Sequence, residues 1–170
     1  CHCLEVNGRK ILIDCGLQQG RDEHDDNALD FSPSYIDYVL VTHAHIDHCG
    51  NSAYLQRKYG IPEALTAPEA GMCANLLTLK CYFLTISPEM VERESAHLVH
   101  TPDVVLPPED GPVSFCGARF HILHTPGHSA GHICTITPDN VCYTADALLS
   151  HEMLSAMLPY ALSHQAAQES

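Results

Sequence analysis

Three imidazoles and a carboxylate fall within six residues of this chain, in the run Thr42-His-Ala-His-Ile-Asp-His-Cys-Gly50. With 13 His in 170 residues, a His-x-His-x-Asp-His string arises by chance about 0.005 times. The residues before it, Ile36-Asp-Tyr-Val-Leu-Val-Thr42, predict a buried strand over Tyr35 to Thr42. Alternate residues of an extended segment project to one side, so His43 and His45 can reach one ion together. Asp47 and His48, where the chain turns, can face a second. Imidazole and carboxylate are the donors zinc accepts at catalytic sites. The bland alternative is a solvated, His-rich loop.

Two further donor groups follow strands. In His124-Thr-Pro-Gly-His-Ser-Ala-Gly-His132, Pro126 and Gly127 make a tight turn that presents His128. Taken alone, His124, His128 and His132 read equally well as ordinary strand-end histidines. At Val141-Cys-Tyr-Thr-Ala-Asp146 a carboxylate again ends an apolar strand. Asp146 also reads as a helix cap before Ala-Leu-Leu. Its weight comes from being the third strand-end donor group in order.

Around these groups, residues 3–14 predict a hairpin closed at Asn7-Gly8, and the polar, acidic Gly16 to Ser34 reads as a loop. Asn51 to Tyr59 predicts a helix stopped by Gly60. A short strand over Ala64 to Ala67 leads to a helix from Pro68, and Pro88 to His97 predicts another. From Val104 onward the pattern is of short strands: Val104–Leu106, Val113–Phe115, Ala118–Leu123, Ile133–Thr137 and Val141–Thr144. Two short helical stretches broken at Pro159 follow Asp146. Strands alternating with helices, then a meander, predict an α/β sheet sandwich covered by helices. A chain of 170 residues suits one domain.

The His-x-His-x-Asp-His run, the downstream Thr-Pro-Gly-His-Ser-Ala-Gly-His, the later Thr-Ala-Asp and Ile11-Leu-Ile-Asp-Cys-Gly16 together resemble the four motifs of the metallo-β-lactamase-fold hydrolases. The third motif is similar to the glyoxalase II-like members. The resemblance implies an αββα sandwich lacking its last strand or strands and helix. It implies that His43, His45 and His128 hold a first metal, that Asp47, His48 and Asp146 hold a second, and that Asp146 bridges the two. Asp14 then braces the metal loop without binding metal, and His132 supports the ligands. The implied cofactor is two Zn2+ ions, with iron or manganese as alternatives. The family's last histidine comes from a strand well beyond the fourth motif. His151 and His164 are the only candidates left, and both lie in helical-looking sequence. The expectation is therefore one domain over residues 1–170, truncated at the C-terminus and open to truncation at the N-terminus, where the chain begins without Met on Leu4-Glu-Val6.

The implied chemistry is attack by a hydroxide held by the metals on an ester, thioester, lactone or related small-molecule bond. Asp47 orients that hydroxide or passes its proton on. A formal charge of −13, with no clustered Lys or Arg, places nucleic acid behind a small-molecule substrate. The stretch from Ile11 to Arg21 with the first histidine run also resembles the RNA-processing β-CASP branch, which makes a phosphodiesterase the alternative. Iron-dependent persulfide dioxygenases share these motifs, and a non-catalytic metal-binding fragment is a further class. Nine cysteines, an odd number without a Cys-x-x-Cys pair, point to free thiols in a reducing, cytoplasmic compartment. Cys1-His2-Cys3 is a minor metal candidate. No apolar run reaches the roughly 18 residues of a membrane span. Residues 16–34 and 81–100 are where specificity is expected, and residues 68–100 are available for a lid or a homodimer contact.

Overall fold

The computed structural model describes residues 1–16, 31–75, 87, 89, 92–93, 96–156 and 159–170. Strands β1 (His2–Val6) and β2 (Arg9–Ile13) form the expected hairpin, with Val6 opposite Arg9. The turn residues Asn7 (φ 53°) and Gly8 (φ 72°) are both left-handed, as a two-residue turn of this hand requires. Parallel pairing then adds β3 (Tyr38–Leu40), β4 (Glu63–Leu65) and β5 (Val104–Val105). A second, antiparallel sheet runs β6 (Gly111–Phe115), β7 (Ala118–His124), β8 (Ile133–Ile136) and β9 (Cys142–Tyr143).

The two sheets bury different patterns because one is covered on both faces. Ile11, Leu12 and Ile13 of β2 are all buried, as in a parallel strand with packing above and below. Ile11 joins Leu40, Phe115, Phe120, Ile122 and Ile133 between the sheets, whereas Leu12 joins Val39, Val41, Leu55 and Leu65 on the outer side. That outer side is covered by α2 (Ser52–Tyr59) and α3 (Ala67–Cys73), through Leu55 and Cys73. On β7 only Ala118, Phe120 and Ile122 point inward, while Arg119, His121 and Leu123 are exposed. Three short helices complete the elements: α1 (Ile46–Cys49), α4 (His151–Ala156) and α5 (His164–Glu169).

Most expected elements are present, with bounds shifted by a few residues: β6 and β7 are longer than expected, and β3, β5, β8 and β9 shorter. The strand expected to reach Thr42 stops at Leu40, although the Val41 amide still donates to Ala64 O at 3.1 Å. The helix after Asn51 ends where Gly60 turns left-handed (φ 65°) and donates back to Gln56 O. The loop over Gly16–Ser34 and the helix over Pro88–His97 lie largely outside the described residues. Within them, Pro33–Tyr35 and Ala96–Leu98 are single 3-10 turns, and Glu89, Glu92 and Arg93 are helical as expected. Among the described residues no helix is long and apolar enough to cross a membrane.

A buried ion pair fastens the chain before β5 to the sheet. Glu63 Oε2 lies 2.7 Å from His100 Nε2, and His100 Nδ1 donates to Leu98 O at 2.8 Å. Burial opposes charge on His100, but the Glu63 carboxylate and the Leu98 carbonyl outweigh it and raise its pKa to about 9. The folded value lies above the ordinary 6.5, so the pair's contribution is complete below that value and is lost as pH rises through about 9. Urea unfolding across this window should show the stability gap between wild type and Glu63→Gln narrowing by on the order of 2 kcal/mol. A constant gap would show that His100 is not charged in the fold.

Candidate metal centre

The site is built where β2, β3, β7 and β9 end. Asp14 follows β2 in a left-handed conformation (φ 60°), which Asp tolerates better than branched residues. Its Oδ1 accepts the Thr42 amide at 2.8 Å, and Thr42 Oγ1 donates to the same carboxylate at 3.0 Å. The other oxygen, Oδ2, accepts from His48 Nδ1 at 2.8 Å. One carboxylate thus ties the end of β2 to the end of β3 and leaves His48 Nε2 free to face the site. Close packing here leaves no room at Gly16, where a Cβ would fall 1.6 Å from the Asp47 carbonyl oxygen.

Donors from three loops converge. His45 Nδ1 lies 2.9 Å from His43 Nε2 and 2.8 Å from His128 Nε2. Asp146 Oδ2 is 3.1 Å from His128 Nε2 and 3.9 Å from His43 Nε2. These four atoms all lie within 4.8 Å of one another. Asp146 turns its second oxygen the other way: Oδ1 is 3.4 Å from His48 Nε2, which is 3.9 Å from Asp47 Oδ2. The carboxylate therefore stands between the group of His43, His45 and His128 and the group of Asp47 and His48. It sits in a 3-10 turn, Ala145–Ala147, whose cap is Thr144, so its carboxylate serves the histidines and not a helix end.

Several rings of the cluster are held from behind. His43 is fully buried, with Nδ1 3.2 Å from Thr42 Oγ1. His128 Nδ1 donates to the main-chain carbonyl of Tyr160 at 2.9 Å. His132 is buried behind the cluster, its ring 4.9 Å from that of His43 and its Nδ1 2.8 Å from Thr125 Oγ1. Such contacts fix tautomer and ring orientation at metal sites.

Electrostatics prepare these groups for a cation. Burial, reinforced by neighbouring imidazoles, pushes His43 well below its ordinary range and His45 to about 4. Burial likewise lowers His132 to about 4. A neutral imidazole, with one ring nitrogen free of a proton, is what a metal requires. Hydrogen bonds from His128 and His48 hold Asp146 far below the carboxylate range. His48 is the exception. Burial opposes its charge, but Asp14 and Asp146 together raise it to about 10, so it would have to surrender a proton to take a cation. The donor set fits a divalent metal.

Not every sequence candidate joins. His124 turns to exposed Asp110, with Nδ1 3.1 Å from Oδ1. His151 and His164 are exposed on α4 and α5, outside the four-atom cluster. Cys1 and Cys3 are exposed, and among the described residues no metal-ligating group forms around them. Sequence reasoning missed two participants: the Tyr160 carbonyl, which carries no side-chain signal, and Glu69. The Glu69 carboxylate is fully buried and bonds both histidine loops.

A cavity of about 720 Å³ opens beside His128 and Asp146, walled by Leu148, Leu149, Leu154, Pro159 and Tyr160. Its described lining contains no Lys or Arg.

Replacing Asp14 by Ala removes the acceptor of His48 and of the Thr42 amide together. Metal affinity should fall about 10–100-fold, read by competition with a chromophoric chelator. Unchanged affinity would show that Asp14 has no part in orienting His48.

Known proteins share this architecture. The chain resembles a B. thuringiensis AiiA variant with N-decanoyl-L-homoserine bound at the active site, at a TM-score of 0.64 and 17% identity, over 98% of this chain and 71% of that one. BLEG-1 B3 metallo-beta-lactamase gives 0.62 and 21%, over 87% and 66%. Among curated proteins, Ribonuclease TTHA0252 of Thermus thermophilus is 45% identical over 58 residues, 34% of this chain and 14% of that one. Integrator complex subunit 11 of Danio rerio is 31% identical over 87 residues, 45% and 14%. The chain thus matches about one seventh of the length of these two relatives. The family model of the metallo-beta-lactamase superfamily matches residues 1–170, and the chain belongs to that superfamily.

Proposed function

We propose that this chain is a single metallo-β-lactamase-like domain acting as a zinc-dependent hydrolase of an uncharged ester, thioester or lactone. The observation that carries this reading is the meeting of His43, His45, His128 and Asp146 from three separate loops within 4.8 Å. His43, His45 and His128 would hold one ion, Asp47 and His48 a second, and Asp146 would stand between them. Ions bound there supply Lewis acidity that makes water a nucleophile at neutral pH. Asp47, whose side chain is 42% exposed, is placed to orient that water or to take its proton. The apolar wall beside His128 suits an acyl chain, and a lining without Lys or Arg offers little grip on a phosphate backbone. The eight described cysteines are free thiols, which supports a reducing, cytoplasmic setting.

A phosphodiesterase is the second reading. It is favoured by the 45% identity to Ribonuclease TTHA0252 over 58 residues. A screen of the zinc-loaded protein against acyl esters, thioesters, lactones and an aryl phosphodiester separates the two. The acyl substrates should turn over. His43→Ala should lose metal and activity together, and Asp47→Ala should slow turnover about 10²–10⁴-fold. Turnover of the phosphodiester alone would replace this reading with the second. Undiminished activity of metal-free His43→Ala would sink both.

A further inference from the structure

Helix α3 lies outside the ligand set, yet its first turn reaches both histidine loops. Glu69 Oε2 accepts the amide of Ala44, the residue between His43 and His45, at 2.7 Å. Glu69 Oε1 accepts Ser129 Oγ and the Gly131 amide, both at 2.7 Å, from the loop that carries His128. Thr66 Oγ1 adds a bond to Gly131 O at 2.8 Å. Gly131 is glycine because a Cβ there would meet Thr66 Oγ1 at 2.3 Å. Glu69 is fully buried, and among the described residues no Lys or Arg pairs with it. A buried carboxylate of this kind is tolerated only through its hydrogen bonds and nearby positive charge.

We infer that Glu69 is a positioning residue. Its two oxygens fix the separation of the His43–His45 and His128 loops, and thereby set how tightly the centre holds its metal. This rests on the metal-site reading above. Ser129 and Gly131, which the sequence showed only as spacers between His128 and His132, are the partners of this latch. A carboxylate is needed because all three groups facing it donate. An amide at the same place would turn an NH2 toward at least one of them. The charge also matters, since bound cations and Glu69 stabilise each other across the loops.

The test is zinc affinity by chelator competition, with the visible spectrum of the cobalt(II)-loaded protein as a report on ligand geometry. Glu69→Gln should weaken zinc binding about 10–100-fold and shift the cobalt bands. Ser129→Ala removes one of the three bonds, keeps the charge, and should weaken binding about threefold or more. It serves if Glu69→Gln does not fold. Wild-type affinity and spectrum in the folded variants would overturn the inference. So would equal losses of melting temperature in chelated and zinc-loaded Glu69→Gln at unchanged affinity, which is the signature of packing alone. Failure of the wild type itself to bind zinc would instead overturn the metal-site reading.

Discussion

Three imidazole nitrogens and a carboxylate oxygen lie within 4.8 Å of one another, which crowds polar atoms from three loops into one small volume. Burial drives His43 and His45 towards the neutral form, and their facing nitrogens stand 2.9 Å apart. Without a shared partner, the polar atoms of a buried cluster cost free energy. The rest of the structure answers this constraint. The donors follow strands β3, β7 and β9, and three rings of the site are pinned on their far side, His43 by Thr42, His48 by Asp14 and His128 by the Tyr160 carbonyl. The sheets provide rigidity, and the loops spend it on holding donors in place.

Three carboxylates divide the work by where their oxygens point. Asp14 faces inward to the Thr42 amide and to His48, joining β2 to β3. Glu69 joins the two histidine loops from the side of α3. Asp146 alone faces the imidazoles of both groups. The same carboxylate group serves as brace, as latch and as the candidate donor because of the company of its oxygens, not because of its own chemistry. His48 shows the consequence most clearly. Two flanking carboxylates hold its proton, whereas burial and the neighbouring His128 drive His45 to the neutral form against the pull of Asp146.

Legibility in the sequence followed the range of the interactions. The hairpin at Asn7-Gly8 and the stop at Gly60 were readable because turn chemistry is local. His43, His45, Asp47 and His48 were readable because they are compressed into six residues, Asp146 because it follows an apolar strand, and His128 only through the family motif in which it sits. His124, His128 and His132 could not be told apart by spacing. Their fates depend on whether Asp110, His45 or Thr125 stands opposite, a tertiary fact. Glu69 was hidden for a subtler reason. Thr66-Ala-Pro-Glu69 has the form of a local capping box, yet Thr66 makes no side-chain cap bond and both side chains reach across to Gly131. Local pattern and long-range use coincide there, and only coordinates separate them. The strand expected to reach Thr42 fell short because Thr42 donates to Asp14 in place of a neighbouring strand.

The segment after α4 links the metal centre to the cavity beside it. The Tyr160 carbonyl orients His128, the Leu162 amide donates to His128 O at 3.3 Å, and the Ser163 amide donates to Gly127 O at 3.0 Å. Gly127 has φ 140°, and a Cβ there would sit 2.3 Å from the Ala167 nitrogen of α5, so the loop and the helix approach as closely as glycine permits. The Tyr160 ring stands 5.6 Å from the His45 ring and 5.8 Å from that of His128, and the same residue lines the cavity. One short stretch therefore forms both the wall a substrate would touch and the support of a metal-facing imidazole. The main chain of that segment makes three hydrogen bonds to the loop, one with the His128 ring, one with His128 O and one with Gly127 O, which side-chain substitution within the segment leaves largely intact. Changes in this segment can thus alter the cavity's shape while the main-chain support of His128 is retained, which gives the fold a place to vary what it binds without dismantling the centre.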